Sequence, residues 1–202
     1  MVIGSGAREH AFVSKLFKSK NVSNIFTVPG NAGTAKLSRN LRIDTNDYDA
    51  ISNAIKENDV ELVLVGPEIP LINGMTDLLK SDKDLSDLLV VGPSMRGAML
   101  EGSKDFAKGF MSRYKIPTAK SKSFTKDTHN KAIDFLKTQS PPFVLKADGP
   151  AAGKGVVISH DLKEASSVLK KMLIEKSFGK SSEKVVIEEF LTGIEMSCFV
   201  LF

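Results

Sequence analysis

Short apolar runs alternate with amphipathic stretches through the first half of the chain. Ile25–Val28, Leu62–Val65 and Leu89–Val91 contain no charged residue, and each is followed by a Pro-Gly or Gly-Pro pair. Apolar runs that stop at such pairs predict strands ending at tight turns. The last two runs are entirely apolar, so we expect those strands to be buried on both faces.

Helical spacing fills the gaps between these strands. After Gly6 the apolar residues recur on one face of a predicted helix: Phe12, Val13, Leu16 and Phe17. Asp47 predicts the N-cap of a second helix, and Leu71–Leu79 predicts a third. Strands that alternate with helices form βαβ units, so residues 1–102 are predicted to be a Rossmann-like α/β domain with a parallel sheet.

Glycine and polar residues fill the loops after the predicted strands: Gly4–Gly6, Pro29–Gly33, Gly66–Glu68 and Gly92–Ser94. Ligands of open parallel sheets bind at the carboxyl ends of the strands. We therefore expect all four loops to point toward one crevice. Gly4 and Gly6 also precede a predicted helix, whose N-terminus suits a phosphate group.

The pattern changes after about residue 104. Helices are predicted over Ser103–Tyr114, over Thr128–Lys137 and around Val168, Leu169 and Met172. Short strands are predicted between and after them: Ser121–Phe124, Phe143–Lys146, Val156–Ile158, Val185–Ile187 and Met196–Phe202. This order predicts an α+β domain over residues 103–202, with mainly antiparallel pairing.

Both ends of the sequence are expected to be cut. Only three residues precede Gly4, whereas a strand usually has about five residues. The other end is the apolar stretch Phe199–Phe202. We therefore expect a fragment that is incomplete for catalysis.

Composition changes this picture little. The 28 basic and 24 acidic residues give a net charge of +4, which favours anionic ligands but does not indicate nucleic acid. The single cysteine, Cys198, excludes an internal disulfide and fits a reducing cytosol, and its apolar neighbours predict a core thiol. No apolar stretch approaches the ~18 residues of a membrane span. We expect a cytoplasmic protein with no membrane or nucleic-acid partner.

The most informative stretch is a glycine-rich segment between two predicted strands. It carries three glycines and two lysines: Lys146, Gly149, Gly153, Lys154 and Gly155. Glycine exposes backbone N–H groups to phosphate oxygens, and lysine adds a cation. The segment is not a P-loop, because only three residues separate Gly149 from Gly153, where a P-loop has four, and Gly155 replaces the magnesium-binding Ser/Thr. A β-hairpin with a phosphate-covering tip is predicted instead.

Acidic residues follow the predicted strand Val185–Ile187. Backbone groups near Glu188 and Glu189 could meet an adenine edge, and the Glu195 carboxylate could accept hydrogen bonds from ribose hydroxyls. Taken alone this signal is weak, because glutamates after a strand commonly face solvent.

Six segments occur together in one order: Gly4–Ala11, Pro29–Thr34, Val65–Leu71, Leu100–Lys104, Lys146–Val156 and Val186–Leu191. In this order and spacing they resemble the glycinamide ribonucleotide synthetase family, also called phosphoribosylamine–glycine ligase, of the ATP-grasp superfamily. The resemblance spans essentially the whole chain. Six segments in order are far more specific than any one of them.

The resemblance implies an ATP-dependent carboxylate–amine ligase of de novo purine biosynthesis. Glycine would be activated as glycyl phosphate and then attacked by the amine of 5-phosphoribosylamine, giving glycinamide ribonucleotide, ADP and phosphate. Residues 1–102 would be the phosphoribosylamine domain. Residues 103–202 would be the first part of the ATP-grasp domain, including its glycine-rich lid. Fusion to other purine-pathway enzymes would also fit the family.

The resemblance assigns ATP-binding roles to these positions: Lys104, Lys146, Gly149, Gly153, Lys154, Gly155, Glu188, Glu189, Leu191 and Glu195. Lys104 and Lys146 would contact phosphates, and Gly153–Gly155 would form the lid. Lys146 and Lys154 are the expected catalytic residues, because forming an acyl phosphate requires neutralisation of phosphate charge.

Phosphoribosylamine would be bound by residues of the first three loops: Gly4, Gly6, Arg8, Glu9, His10, Asn31, Gly66, Pro67 and Glu68. Glu68 and Asn31 are stronger candidates than His10. A lone histidine in a first helical turn is more often structural or solvated.

The resemblance also implies Mg²⁺, whose ligands in this family lie in a later Glu-x-Asn arrangement. We therefore expect the magnesium ligands beyond residue 202 and no metal site within this chain. Asp44, Asp47 and Asp49 have the spacing of turns and caps, not of a cation cage.

Three alternatives remain open. Another ATP-grasp carboxylate–amine ligase would share the lid, but not Pro29–Asn31 and Gly66–Glu68 in this spacing. A nucleotide-dependent oxidoreductase is disfavoured, because Glu9 occupies the third glycine position of the dinucleotide fingerprint. A non-catalytic remnant that binds a nucleotide, a phosphosugar or a partner protein is the third.

Overall fold

Two separate sheets organise the chain, which the computed structural model describes over residues 1–151 and 153–198. One sheet belongs to the unit Met1–Gly102 and the other to the unit Ser103–Phe202. Each unit has its own apolar core.

The first sheet is built from five strands: β1 Val2–Gly4, β2 Phe26–Pro29, β3 Arg39–Asn40, β4 Leu62–Val65 and β5 Leu89–Val91. All neighbouring strands run parallel, in the order β3-β2-β1-β4-β5, so the predicted parallel sheet is confirmed. From β1 the chain first adds β2 and β3 on one side of the sheet and then adds β4 and β5 on the other side. The direction in which strands are added therefore reverses between β1 and β4. Their carboxyl ends therefore form the edge where ligands of such sheets bind.

The same unit contains five α-helices, four between its strands and one after β5: α1 Ala7–Phe17, α2 Tyr48–Glu57, α3 Glu68–Ile72, α4 Met75–Ser81 and α5 Met95–Gly102. Asp47 caps α2 as predicted, because its side chain accepts a hydrogen bond from the Ala50 N–H at 3.0 Å. The core contains Ile55 of α2 and Leu79 of α4, together with Ile3 and Val63 of the sheet.

The predicted helix Leu71–Leu79 is wrong as a single element, since it divides into α3 and α4. Gly74 separates the two helices and has a φ angle of +89°, in the left-handed region that interrupts an α-helix. Apolar spacing alone did not reveal the interruption, because the apolar residues of α3 and α4 pack into the same core and keep a helical spacing across it.

The prediction that β5 is buried is also wrong. Leu89 is 66% exposed and Val91 is 52% exposed, whereas Val90 between them is partly buried and packs against the core. This edge strand is therefore covered on one face only. Phe17, expected on the buried face of α1, is 58% exposed at the last residue of that helix.

The described part of the second unit contains a four-stranded antiparallel sheet: β6 Ser121–Thr125, β7 Phe143–Ala147, β8 Val156–Ser159 and β9 Lys184–Glu188. The order is β6-β9-β7-β8, which confirms the predicted antiparallel α+β arrangement. Its helices are α6 Lys104–Arg113, α7 His129–Lys137 and α8 Leu162–Leu173. Short 3-10 helices complete the described structure: Thr34–Lys36, Lys83–Leu85, Lys126–Thr128 and Gly179–Ser182.

The two faces of the second sheet differ in chemistry. Leu145 and Ile187 lie opposite each other and share a core with Leu169 and Met172 of α8. Successive residues of a strand point to opposite faces. Lys146 and Glu188 therefore lie together on the other face, which carries the polar side chains.

The strand predicted over Met196–Phe202 is absent from its described part, Met196–Cys198, and residues 199–202 lie outside the described residues. Cys198 is exposed, so the predicted core thiol is wrong: this part of the chain forms neither helix nor strand and packs into no core. No helix in the described part of the chain has both the length and the apolar character needed to cross a membrane.

Leu78 and Leu79 provide a matched test of the first core. Leu79 is fully buried, whereas its neighbour Leu78 is 43% exposed on the same helix. We expect Leu79→Ala to lower the free energy of unfolding by about 2–5 kcal/mol, and Leu78→Ala by less than about 1 kcal/mol. Urea denaturation followed by circular dichroism measures both. Equal effects would show that α4 does not pack as described.

Candidate functional site

A cleft of about 390 Å³ lies at the carboxyl ends of β1 and β4 in the first unit. Its walls are the loop after β1, Pro67 and Glu68 after β4, and Thr45. The backbone N–H groups at the start of α1 also lie at this end of the sheet, because α1 begins at Ala7. An open cleft at a helix N-terminus suits an anionic group.

Glu9 is buried beneath this cleft at 4% exposure. Its Oε2 accepts a hydrogen bond from the Gly6 N–H at 2.6 Å. Its side chain also fills the space that a Cβ atom would need at three glycines. A Cβ would lie 2.4 Å from Glu9 Cγ at Gly4, 2.9 Å from Oε2 at Gly6 and 2.2 Å from Oε1 at Gly66. The side chain therefore supports the loops from below.

Arg8 and Asn31 join the loops to one another. Arg8 Nη1 donates to the Gly66 carbonyl at 2.8 Å, which links the first turn of α1 to the loop after β4. Asn31 Nδ2 donates to the Ser5 carbonyl at 2.9 Å, which links the loops after β1 and β2. Both residues lie where the sequence places them, at the carboxyl edge of the sheet. Much of their hydrogen-bonding capacity is used within the protein.

Asn40 supports the loop after β2 and was missed by sequence reasoning. Its Nδ2 donates to the Asn31 carbonyl at 2.9 Å, and its Oδ1 accepts from Thr34 Oγ1 at 2.9 Å. A Cβ at Gly30 would lie 2.5 Å from the Asn40 amide. The sequence carried no usable signal, because the two-residue strand β3 has no apolar pattern.

His10 packs against the loop after β2, since a Cβ at Gly33 would lie 2.9 Å from His10 Cε1. Pro67 and Glu68 line the cleft, and Glu68 is the first residue of α3. Of the predicted substrate residues, the structure thus brings six to one cleft: Gly4, Gly6, Arg8, Glu9, Pro67 and Glu68. Gly66 contacts two of them, since its carbonyl accepts from Arg8 and its Cα side faces Glu9. Asn31 and His10 lie in the supporting layer.

The polar face of the second sheet carries an ion pair between Lys146 and Glu188. Lys146 Nζ lies 2.8 Å from Glu188 Oε2, and Lys108 Nζ lies 3.5 Å from Oε1. Glu188 is 8% exposed, so this carboxylate is largely removed from water. Lys108 is held in turn by the Thr118 hydroxyl at 2.8 Å and the Ala119 carbonyl at 2.9 Å. Lys108 was not among the site residues predicted from the sequence.

Lys104 adds a third cation near Glu188, beside Lys146 and Lys108. Its Nζ donates to the carbonyls of Asp148 and Gly149 at 3.3 and 3.4 Å. Burial lowers the pKa of Lys104 from its ordinary value of 10.5, and the nearby charge of Lys146 acts in the same direction. The negative charges of Asp148 and Glu188 oppose this shift.

The glycine-rich segment is held at its base. The Gly149 N–H donates to the Ser181 carbonyl at 3.2 Å, and Ser181 Oγ donates to the Pro150 carbonyl at 2.5 Å. At the tip, no atom of the described residues beyond the chain neighbours of Gly153 lies within 4 Å of the position a Cβ would take on this glycine, and Lys154 is exposed. Gly155 returns to the sheet, where its carbonyl accepts from the Ala147 N–H at 2.7 Å. Ala152 lies outside the described residues.

An apolar strip lies beside the charged cluster. Val156 and Ile158 of β8 are opposite Lys146 and Val144 in the strand register, so they share the polar face of the sheet. They are 43% and 50% exposed. Exposed apolar side chains next to paired lysines suit a ligand that has both a flat apolar part and phosphate groups.

The remaining predicted ATP-binding residues are not brought into this cluster. Glu189 pairs with Lys120, accepting from the Lys120 N–H at 2.8 Å and donating its own N–H to the Lys120 carbonyl at 2.9 Å. Leu191 is 64% exposed. Glu195 is exposed, and no ion pair of its side chain is found within residues 1–151 and 153–198.

Metal-ligating side chains do not converge in the described residues. No group of three or more histidine, cysteine, aspartate or glutamate side chains there could hold a metal ion. The expectation that magnesium ligands lie beyond residue 202 stays a prediction.

Two family models match the chain in succession. "Phosphoribosylglycinamide synthetase, N domain" matches residues 1–101, and "Phosphoribosylglycinamide synthetase, ATP-grasp (A) domain" matches residues 102–202. The chain belongs to the phosphoribosylglycinamide synthetase family. The resemblance stated from the sequence is confirmed.

Curated relatives carry the corresponding names. The bifunctional purine biosynthetic protein purD of Dictyostelium discoideum is 45% identical over 98% of this chain and 24% of its own length. A phosphoribosylamine–glycine ligase of Listeria monocytogenes is 44% identical over 98% of this chain and 46% of its own length. The chain thus spans about half or less of the length of these phosphoribosylglycinamide synthetase relatives.

Solved structures agree with this family and fold. The phosphoribosylamine–glycine ligase of Thermotoga maritima is 33% identical with a TM-score of 0.73, over 96% of this chain and 44% of that one. The biotin carboxylase domain of Hydrogenobacter thermophilus 2-oxoglutarate carboxylase is 19% identical with a TM-score of 0.71, over 94% of this chain and 44% of that one. At that identity the second likeness shows the fold alone.

Glu188 and Glu183 provide a matched test of the ion pair. We expect Glu188→Gln to lower the free energy of unfolding by about 1–3 kcal/mol, because Lys146 and Lys108 lose their buried counter-charge. Glu183→Gln removes the exposed pair with Lys176, and we expect a change of at most about 1 kcal/mol. Both are measured by urea denaturation at low salt. A Glu188→Gln effect no larger than the Glu183→Gln effect would contradict the described pairing.

Proposed function

We propose that this chain supplies the phosphoribosylamine cleft and the first ATP-binding elements of a phosphoribosylamine–glycine ligase. The proposed reaction joins glycine to 5-phosphoribosylamine and gives glycinamide ribonucleotide, ADP and phosphate. The observation that carries the proposal is the Lys146–Glu188 ion pair, with Lys104 nearby, in a chain whose second half matches the ATP-grasp domain of this family.

The residues of the second unit fit a nucleotide. Lys104 and Lys146 offer two ammonium groups on one side of the glycine-rich segment, and Val156 and Ile158 offer exposed apolar surface for a base. When bound, ATP supplies the phosphoryl group that activates the glycine carboxylate. The part of the lysines is to neutralise phosphate charge, which is usually a large contribution in such reactions.

Glu188 is proposed to orient Lys146 and not to contact the base, in view of its short contact with that lysine. Lys154, at the tip of the glycine-rich segment, is proposed to reach the phosphates when the segment closes over them. Such a closed segment would also exclude water. Glu189, Leu191 and Glu195 are kept as proposed nucleotide contacts on the family pattern alone. Magnesium is part of the family pattern, and none of these roles depends on it.

The first unit is proposed to bind the phosphate of phosphoribosylamine. The supporting observation is the cleft at the start of α1, at the strand-order reversal between β1 and β4. Glu68, which lines the cleft, is proposed to contact the sugar or the amine. Arg8, Glu9 and Asn31 are proposed to act mainly by holding the loops.

Two further parts of the proposal concern the whole protein. The Dictyostelium discoideum relative is named bifunctional, which supports a fusion to a second purine-pathway enzyme. A cytoplasmic location is the setting we propose for this pathway.

The reaction is tested in a chimera in which this chain replaces the matching segment of the Listeria monocytogenes relative. We expect phosphate release from ATP only when glycine and phosphoribosylamine are both present. Lys146→Ala should lower the rate by about tenfold or more, because it removes a phosphate counter-charge. Lys131→Ala, an exposed lysine on α7, should leave it unchanged. The proposal would be overturned if a chimera that binds ATP released phosphate equally well without glycine and phosphoribosylamine.

The pH dependence of ADP binding tests the role of Lys104. Its pKa is lowered, so it loses its proton at a lower pH than ordinary lysines. We expect ADP affinity to fall as pH rises through the Lys104 pKa, because only the charged ammonium attracts phosphate. Lys104→Arg should remove this fall, since arginine stays charged. Isothermal titration calorimetry on the 202-residue chain measures both. The same pH profile for wild type and Lys104→Arg would contradict this role.

A further inference from the structure

The carboxylate of Asp148 lies at the N-terminus of α6. Its oxygens accept hydrogen bonds from Ser103 Oγ at 2.9 and 3.1 Å and from the Asp105 N–H at 2.7 Å. Ser103 is the N-cap of α6, and its hydroxyl also accepts from the Phe106 N–H at 3.0 Å. Asp148 therefore satisfies helix N–H groups both directly and through Ser103. A negative charge there is also favoured by the helix dipole.

Lys104 is the first residue of α6 and is held by the same segment. Its backbone N–H donates to the Asp148 carbonyl at 3.3 Å, and its Nζ returns to the Asp148 and Gly149 carbonyls. The lysine is thus fixed at its backbone and at its ammonium by the base of the glycine-rich segment.

The arrangement is anchored to the sheet. The Asp148 N–H donates to the Lys184 carbonyl of β9 at 3.0 Å. The Lys184 side chain pairs with the Asp105 carboxylate, to which Ser123 Oγ also donates a hydrogen bond. The helix start and the glycine-rich segment therefore share one network with the sheet.

We propose that Asp148 is a positioning residue, whose capping of α6 holds the Lys104 ammonium at the base of the glycine-rich segment. None of the predicted site residues has this role. The effect of Asp148 on nucleotide binding rests on the function proposed above, whereas its effect on the position of Lys104 does not.

The charges around Lys104 explain why such a residue is needed. Burial and Lys146 both disfavour the Lys104 ammonium, and Asp148 and Glu188 are the charged groups that favour it. Without the cap, the lysine side chain would gain solvation and rotamer freedom by turning into water. The proposed phosphate site would then keep the Lys146 ammonium but lose the Lys104 ammonium.

The first arm of the test measures the pKa of Lys104 in the 202-residue chain. Lysine ¹³Cε signals are titrated by NMR, with the Lys104 signal assigned through Lys104→Arg. Both Asp148→Ala and Asp148→Asn remove the negative charge that favours the Lys104 ammonium. Asp148→Asn keeps an oxygen that can accept the capping bonds, so the ammonium should stay in its desolvated position. We expect the Lys104 pKa to be higher in Asp148→Ala than in Asp148→Asn, because the ammonium leaves that position only when the cap is lost. Equal Lys104 pKa values in the two variants would overturn the proposal.

Asp161→Ala is the matched control. Asp161 caps α8 in the same unit, where its side chain accepts from the Glu164 N–H at 2.8 Å. It should cost similar stability and leave the Lys104 pKa unchanged. If Asp148→Ala does not fold, Ser103→Ala removes the relay between Asp148 and the helix and should raise the Lys104 pKa in the same direction. A lowered pKa retained in folded Ser103→Ala would then overturn the proposal.

The second arm measures ADP affinity by calorimetry. We expect the dissociation constant to rise about tenfold in Asp148→Ala, less in Asp148→Asn, and not in Asp161→Ala. If the wild type binds ADP and Asp148→Ala binds it with the same affinity, the positioning role is refuted and the proposed function remains intact. No binding by wild type, with the expected change in the Lys104 pKa, would refute the proposed nucleotide site and support the positioning role.

Discussion

The pairing of the buried Glu188 carboxylate with lysine ammonium groups is the interaction on which the polar face of the second sheet depends. A carboxylate removed from water is costly unless it is paired and hydrogen-bonded. Lys146 and Lys108 provide that pairing from two different elements, β7 and α6. The same attraction lets several cations remain on one small surface, where they would otherwise repel one another. Cations held in this way cost little reorganisation when an anion arrives.

The features of the fold that could be predicted are those set by residues close together in the sequence. Most strands and helices followed from apolar spacing, and the Asp47 cap followed from a short-range hydrogen bond. The two-residue strand β3 did not, because Arg39 and Asn40 carry no apolar pattern. Two of the errors concern strand order and backbone conformation. Nothing in the composition of Leu89–Val91 shows that it is an edge strand, because that depends on which strands pair. The interruption at Gly74 depends on one dihedral angle within an otherwise continuous apolar pattern.

The candidate site was predictable in its residues but less so in their roles. Motifs identified Lys104, Lys146, Gly149 and Glu188, which the structure brings together. They could not show that Glu188 faces a lysine, because the pair forms only when β7 and β9 align. Lys108 was missed for the same reason, since its partner is distant in sequence and helical lysines usually face solvent.

The packing of Glu9 against three glycines restricts the order in which these positions can change during evolution. A methyl group at Gly6 or Gly66 would enter the volume of the Glu9 side chain, so either replacement is open only after residue 9 has become smaller. Gly4 would remain restricted even then, because its φ angle of +130° disfavours any residue with a Cβ. The two kinds of glycine should therefore diverge differently: Gly6 and Gly66 should covary with residue 9, whereas Gly4 should stay invariant whatever residue 9 becomes.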